Sequence, residues 1–208
     1  MLYTRCAEVD EDFWRELANA DPGEVCGRTG VRWQGGAYRV PYFQRELVVE
    51  PGARRIFLAD APAAEPGFRR CLTVLLYLLQ VDPAGLGPPV SPLELPGATL
   101  FFQQSGPHAL PRAPLEERFG RDPAALMDAA RLLGGEALPL GDAAFAFQVF
   151  PGLPVGVILW QADEDFPPQV SFTVPGQLHR FWQLDAVLAL LGVVVKELLQ
   201  AAGPLTGC

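Results

Sequence analysis

The chain has 208 residues, of which 50% are hydrophobic and 19% are charged. This composition excludes a largely disordered protein, and the length favours one globular domain over residues 1–208. The formal charge of −8 opposes binding to the phosphates of nucleic acids and to anionic membrane surfaces, so neither is an expected partner.

The first quarter of the chain predicts a short helix followed by a small antiparallel sheet. Residues 8–20 place Phe13, Trp14 and Leu17 on one helical face, and Asp21-Pro22-Gly23 is expected to stop this helix. Gly35-Gly36 separates two alternating runs within residues 31–43 and indicates a hairpin turn. Residues 47–49 and 56–58 predict further strands, whereas Gly23, Gly27 and Gly30 are interpreted as turn residues.

The middle of the chain alternates buried and irregular segments. Residues 60–66 form a connector rich in proline and alanine, and Phe68–Gln80 is apolar nearly all round, as in a helix buried on several sides. Residues 82–96 carry five prolines and two glycines and predict an irregular segment. Residues 98–103 predict a short strand, and residues 105–111 predict a loop.

The second half predicts two helices, a meander and a closing helix. Residues 115–119 and 122–133 form the two helices, the second with Asp122 as its N-cap. The strands are residues 143–150, 155–160 and 170–174, and residues 177–182 are expected to begin another helix before the apolar helix Leu184–Ala201. The fold class is therefore α+β, with a mainly antiparallel sheet of hairpins and a three-strand meander packed against about four helices.

Several segments of the second half resemble a known family. They include LLYLLQ, GPHALP, LEERFG and FPGLPVGVILWQADEDFPP, in which Trp160 and Asp163 fit the family pattern and Asp165 stands where glutamate is expected. On these residues the chain resembles an uncharacterised bacterial and archaeal family, the domain of unknown function numbered 3786. The resemblance implies a link to anaerobic redox or one-carbon cofactor metabolism, although this chain lacks the cysteine-rich iron–sulfur segment of some members.

The acidic run Asp163, Glu164 and Asp165 is the first candidate site. Carboxylates on a turn can hold Mg²⁺ or Ca²⁺, or supply a general base if burial near Trp160 and Phe166 raises a pKa. The alternation of side chains at a strand end predicts Asp163 and Asp165 on one face. The alternative, which is favoured, is that the acids and prolines end a strand and keep its edge soluble.

His108 is the second candidate site. It lies among glycine, prolines and small residues, a rigid loop setting from which a side chain can reach a ligand. A histidine there can bind a metal, transfer a proton, or serve as an axial ligand to a haem or corrinoid. An exposed histidine without a role is an equal alternative, and His179 at a helix start is interpreted as structural.

Other catalytic chemistry finds no support in the sequence. The four cysteines are far apart, none lies in a C-x-x-C pair, and no serine lies in G-x-S-x-G. Cys71 is interpreted as a small buried hydrophobe, and reduced thiols are expected. The first residues lack the apolar core of a signal peptide, which favours a cytoplasmic location.

The leading hypothesis is an accessory protein that binds a small molecule, a cofactor or a protein partner. Its ligand-binding residues are predicted to be His108, Trp160, Asp163 and Asp165. One alternative is a metal-assisted enzyme with His108, Asp163 and Asp165 as metal ligands. Another is a structural subunit of a larger assembly. The sequence names no cofactor and no oligomeric state.

Overall fold

A computed structural model describes residues 4–204. Within this range the protein has two antiparallel sheets and seven α-helices, which confirms the predicted α+β class. The predicted connector at residues 60–66 contains no helix and no strand.

The first sheet is a run of hairpins in the order β1-β2-β3-β4, with every neighbouring pair antiparallel. Its strands are β1 Arg32–Gln34, β2 Ala37–Tyr42, β3 Arg45–Glu50 and β4 Arg55–Leu58. Gly35 and Gly36 have φ values of 61° and 80°. They form the predicted turn between β1 and β2, because glycine adopts positive φ at little cost.

The second sheet has the order β5-β9-β8-β7-β6, and its neighbours are all antiparallel. Its strands are β5 Pro89–Val90, β6 Glu136–Ala137, β7 Ala143–Phe150, β8 Leu153–Trp160 and β9 Gln169–Pro175. Strands β7, β8 and β9 are consecutive in the chain and adjacent in the sheet. They confirm the predicted three-strand meander.

Two long helices lie side by side in the interior, and the shorter helices pack around them. The helices are α1 Glu11–Asn19, α2 Pro22–Thr29, α3 Phe68–Gln80, α4 Ala98–Phe101, α5 Ala113–Phe119, α6 Pro123–Leu132 and α7 Leu184–Ala201. Helix α3 packs against α1 and α2, and α7 packs against α5 and α6. No helix in the described part of the chain has the length and apolar character needed to cross a membrane.

In the first quarter the sequence missed helix α2, and the interpretation of Gly23 and Gly27 as turn residues is wrong. Helix α1 ends at Asn19, before Asp21-Pro22-Gly23, as predicted. The same three residues also begin α2, because Asp21 accepts hydrogen bonds from the backbone N of Gly23 at 2.6 Å and of Glu24 at 3.1 Å. Pro22 then occupies the first helical turn, where its missing N–H costs nothing. Gly23 and Gly27 are therefore helical, and only Gly30, at φ 72°, ends a helix.

Two later predictions also need correction. The segment at residues 98–103 is a helical turn, since Ala98 and Phe102, four residues apart, are buried while Leu100 is 89% exposed. A strand would have buried alternate residues. At residues 177–182 only the 3-10 turn Leu178–Arg180 is helical, and residues 82–96 contain β5 and two 3-10 turns.

The two sheets and the two long helices share one hydrophobic core. Tyr42 of β2 packs against Phe150 of β7 with ring centroids 5.9 Å apart, and Tyr77 of α3 stacks on Phe150 at 4.8 Å. These contacts join the first sheet, α3 and the second sheet. The single domain over residues 1–208 stays a prediction, which this shared core supports.

A disulfide bond joins Cys6, in the 3-10 turn Cys6–Glu8, to Cys71 in α3. The expectation of reduced thiols is therefore wrong for these two residues. Cys71 is buried as predicted, but its partner is 65 positions away in the chain and no sequence motif pairs them. Cys26 is a free thiol, and Cys208 lies outside the described residues.

Candidate functional site

The acidic residues after β8 form a turn that satisfies its own backbone. One carboxylate oxygen of Asp163 accepts hydrogen bonds from the backbone N of Asp165 at 2.8 Å and of Phe166 at 2.7 Å. The backbone N of Asp163 donates to the carbonyl of Phe166 at 3.1 Å. All three acids are exposed, and Trp160 is 43% exposed. This geometry is that of a strand end closed by an aspartate side chain.

His108 lies in the loop after α4, on the surface. Its ring stacks on Phe101 with centroids 4.4 Å apart and 13° between the planes, and its carbonyl accepts a hydrogen bond from the backbone N of Gln103. These contacts hold the imidazole against an aromatic ring. His179 is half-buried, with Nδ1 3.1 Å from the carbonyl of Gly176, which agrees with a structural role.

Across residues 4–204 there is no group of three or more histidine, cysteine, aspartate or glutamate side chains that could hold a metal ion. His108, Asp163 and Asp165 therefore do not form such a group. Ligand binding by these three residues and Trp160 stays a prediction.

A buried network of charged and polar side chains lies elsewhere, between the two long helices and the first sheet. Arg70 of α3 and Glu197 of α7 form an ion pair, with 8% and 4% of the two residues exposed. The Tyr42 hydroxyl donates to Oε1 of Glu197 at 2.9 Å and accepts from Nε of Arg70 at 3.2 Å. Each charge is thus paired and hydrogen-bonded, as burial requires.

Burial and mutual contact shift the titration of this network. Desolvation, followed by the negative charge of Glu197, raises the pKa of Tyr42 well above its ordinary value. Desolvation opposes the charge of Arg70, but its contacts with Tyr42 and Glu197 prevail, so the pKa of the guanidinium is raised. Tyr42 is therefore neutral and Arg70 charged across the physiological range.

Arg70 and Glu197 also line a cavity of about 390 Å³ between the start of α3 and the later part of α7. Its other lining residues include Thr4, Gly67, Arg69, Gly192 and Lys196. The guanidinium of Arg69 lies over Gly192, where a side-chain carbon would come within 2.4 Å of Nη1. A side-chain carbon on Gly67 would lie 3.7 Å from Nζ of Lys196, so the ammonium sits near the start of α3.

The charge of this cavity is positive in a protein of net charge −8. The ion pair with Arg70 compensates Glu197, the only acid in the lining. Neither Arg69 nor Lys196 has an ion-pair partner among residues 4–204. The dipole of α3 adds positive potential at its N-terminus.

A second cavity of about 600 Å³ adjoins the first and shares Arg69, Gly192 and Lys196 with it. Its remaining walls are mostly apolar: Pro111, Pro114, Val195, Leu199, Gly203 and Pro204, with Gln200. We call the two cavities together the α3–α7 groove. The two cations therefore lie where the two cavities meet, and both cavities have mainly apolar walls.

Sequence reasoning missed this site, although three signals were present. Arg69-Arg70 opens an otherwise apolar helix, and Lys196-Glu197, which includes the only lysine of the chain, interrupts the apolar run of α7. A charge that packing buries needs a partner, as Arg70 and Glu197 show, whereas Arg69 and Lys196 stay exposed. Gly192 inside a long helix is a third signal, because glycine weakens a helix unless close approach requires it.

A family model described as a domain of unknown function, DUF3786, matches residues 21–197. The chain belongs to this family. The matched range takes in Tyr42, Arg69, Arg70, Gly192 and Glu197, and it begins after Cys6. No curated protein and no solved structure matches the sequence.

Proposed function

We propose that this DUF3786 protein is an accessory protein that binds a small organic anion in the α3–α7 groove. The observation that carries the proposal is the pair of cations, Arg69 and Lys196, without ion-pair partners among residues 4–204 and at the junction of the two cavities. Guanidinium and ammonium groups bind carboxylate, sulfonate and phosphate through charge-assisted hydrogen bonds.

The shape of the groove narrows the class of ligand. An acidic head fits beside Arg69 and Lys196, and an apolar body fits against Val195, Leu199 and the three prolines of the second cavity. Cavities of about 390 and 600 Å³ are in the range of small-molecule sites, about 300–1,000 Å³. The ligand class is thus a monoanionic or dianionic molecule with an apolar body.

The buried network supports the same assignment. Arg70, Glu197 and Tyr42 are held by one another, so the floor of the first cavity is preorganised. A preorganised floor lowers the cost of ordering side chains on binding. Among the residues between 4 and 204 that line the groove, none is a nucleophile with an adjacent base, so we propose binding and not catalysis.

The setting of this function rests on the sequence alone. The proposal retains the cytoplasmic location, and it retains the link to anaerobic redox or one-carbon metabolism that the family resemblance implies. The ligand in that setting is an acidic metabolite or cofactor that the accessory protein holds.

The test uses anilinonaphthalene sulfonate, a fluorescent aromatic anion with an acidic head and an apolar body. We expect saturable binding that weakens with added salt, because exposed charges are screened. Arg69→Met and Lys196→Met each remove a charge and keep the apolar stem. Each is expected to weaken binding about tenfold, or about 1.4 kcal/mol.

Two controls make the result specific. Arg121→Met removes an exposed arginine outside the groove, and its affinity is expected to equal that of the wild type. Phenylnaphthylamine is an uncharged analogue of the probe and is expected to bind more weakly. Equal affinities for wild type, Arg69→Met and Lys196→Met, with unchanged circular dichroism, would refute the proposal.

A further inference from the structure

The segment before helix α1 forms one rim of the groove and is fastened to α3 at two points. The backbone carbonyl of Thr4 accepts a hydrogen bond from the backbone N of Phe68 at 3.0 Å, and Cys6 is bonded to Cys71 one turn further along α3. Thr4 itself lines the first cavity beside Gly67 and Lys196. The disulfide therefore holds a wall of the proposed site.

Hydrogen bonds within the segment also order it. A carboxylate oxygen of Glu8 accepts hydrogen bonds from the backbone N of Thr4 and of Arg5, each at 2.7 Å, so residues 4–8 form a small closed loop. Val9 is buried and anchors the start of α1. Apart from the disulfide, the backbone hydrogen bond from Phe68 to Thr4 and the packing of the turn Cys6–Glu8 on α3 attach this loop to the helix.

The bond can be reached from solvent at one end. Cys6 is half-buried, whereas Cys71 is fully buried. A thiolate can attack the Cys6 sulfur with Cys71 as the leaving thiolate, and this order of attack is open to a soluble dithiol. Permanent structural disulfides are rare in a reducing compartment. A solvent-accessible disulfide in such a compartment is therefore one that is repeatedly reduced and reoxidised.

We propose that the Cys6–Cys71 disulfide is a redox switch that controls ligand binding in the α3–α7 groove. A dithiol reductant supplies two electrons and two protons, the S–S bond breaks to give two thiols, and the reductant becomes a disulfide. Reduction releases residues 4–8, removes the Thr4 wall and weakens binding. Oxidation restores the wall and the affinity.

This switch rests on the proposed function for its consequence, but not for its structural step. Cys6 precedes the range matched by the family model, so the inference concerns this chain. The structural step is tested first, without ligand, by hydrogen exchange of the oxidised protein and of the same protein reduced with dithiothreitol. We expect the amides of residues 4–8 and of Phe68 to exchange at least about tenfold faster after reduction, as in a local opening.

The functional step is then tested with anilinonaphthalene sulfonate. Reduced wild type and Cys6→Ser are expected to bind about tenfold more weakly than the oxidised wild type. Cys26→Ser is the matched control, because Cys26 is a free thiol, and it is expected to respond to dithiothreitol as the wild type does.

Three results would overturn the switch. They are an absent bond in the oxidised protein, a bond that dithiothreitol opens only in denaturant, and equal exchange of residues 4–8 in both redox states. Faster exchange with unchanged affinity would reject the control of binding. If the oxidised wild type does not bind the probe in the groove, the proposed function is rejected instead. The hydrogen-exchange result, which needs no ligand, distinguishes failure of the switch from failure of the proposed function.

Discussion

The α3–α7 groove and the acidic turn after β8 carry charge in opposite ways. In the groove, Arg70 and Glu197 are buried and paired, whereas Arg69 and Lys196 are exposed, line a cavity and have no ion-pair partners among residues 4–204. In the turn, three exposed carboxylates include one that accepts hydrogen bonds from its own backbone. Exposed charges gain little from one another in water.

This difference shows that a conspicuous sequence pattern need not mark the binding site. Three consecutive acids are easy to notice in a sequence. In the structure, however, they lie exposed to solvent in the turn after β8. The groove is made of charges that are distant in sequence and become neighbours only when two long helices pack. Cations without ion-pair partners beside a buried, preorganised network, and not charge density, distinguish the better candidate.

The largest expected effect is the loss of Glu197. Glu197→Ala leaves the buried guanidinium of Arg70 without its counter-ion, and the free energy of unfolding is expected to fall by about 3–5 kcal/mol. Urea unfolding followed by circular dichroism measures it. The double variant Arg70→Met with Glu197→Leu is the control and should lose less, because no buried charge is left unpaired. A cost below about 1 kcal/mol for Glu197→Ala contradicts the buried network.

The next effect is a loss of stability at alkaline pH. Burial raises the pKa of Tyr38 to about 12 and raises the pKa values of Tyr42 and Tyr77 above the ordinary value of 10.0. Above pH 10 the unfolded chain loses these protons while the folded protein keeps them, so the stabilisation present below pH 10 is progressively lost. The free energy of unfolding should fall by up to about 1.4 kcal/mol per pH unit for each tyrosine.

Urea unfolding at a series of pH values, with tyrosinate absorbance recorded on the folded protein, measures this dependence. Tyr42→Phe should reduce the slope by one tyrosine's share, since it removes one group that the fold keeps protonated. Tyrosines of the folded protein that ionise together near pH 10 would contradict the burial of the network.

Much of the fold could be predicted because its elements have local signals. The bounds of Phe68–Gln80 and Leu184–Ala201 follow from apolar patterns with clear stops, and the meander follows from alternation and tight turns. Helix α2 was missed because Asp-Pro-Gly also marks turns, and only the hydrogen bonds of Asp21 show that it starts a helix here. The residue preferences of Asp-Pro-Gly alone do not decide between a turn and a helix start.

The site could not be predicted because its contacts are long-range. The hydrogen bonds of its network join Tyr42 and Arg70 across 28 positions, Arg70 and Glu197 across 127, and Tyr42 and Glu197 across 155. The Cys6–Cys71 bond spans 65 positions. No pattern of spacing in a single sequence specifies such pairs, whereas the packing of α3 on α7 creates them.

A smaller and more selective effect is expected from Gly192→Ala. The new methyl group would meet Nη1 of Arg69 and push the flexible guanidinium away from the cavity. Affinity for anilinonaphthalene sulfonate should fall about tenfold. The free energy of unfolding should rise by about 0.5–1 kcal/mol, because alanine favours a helix.

Gly27→Ala in α2 is the matched control for this substitution. A side-chain carbon there meets nothing within 4 Å, so stability should rise without any change in affinity. An unchanged affinity of Gly192→Ala for the probe would contradict the assignment of Arg69 to the binding site.

The smallest effects are expected at the acidic turn. Asp163→Ala removes an exposed acceptor of two backbone hydrogen bonds and should cost at most about 1 kcal/mol of stability. Asp165→Asn should change the free energy of unfolding by less than about 0.5 kcal/mol. Both variants should bind the probe as the wild type does, in the same fluorescence titration. A clear loss of affinity for the probe in either variant would place the ligand-binding site at the acidic turn.

The most direct measurement compares the two regions in one experiment. Amide resonances of the isotope-labelled, oxidised protein are followed by nuclear magnetic resonance during titration with anilinonaphthalene sulfonate. We predict that the largest shifts occur at Arg69, Arg70, Gly192 and Lys196, and that His108, Asp163 and Asp165 do not move. Shifts concentrated at those last three residues, with none at Gly192 and Lys196, would contradict the assignment of the groove as the binding site.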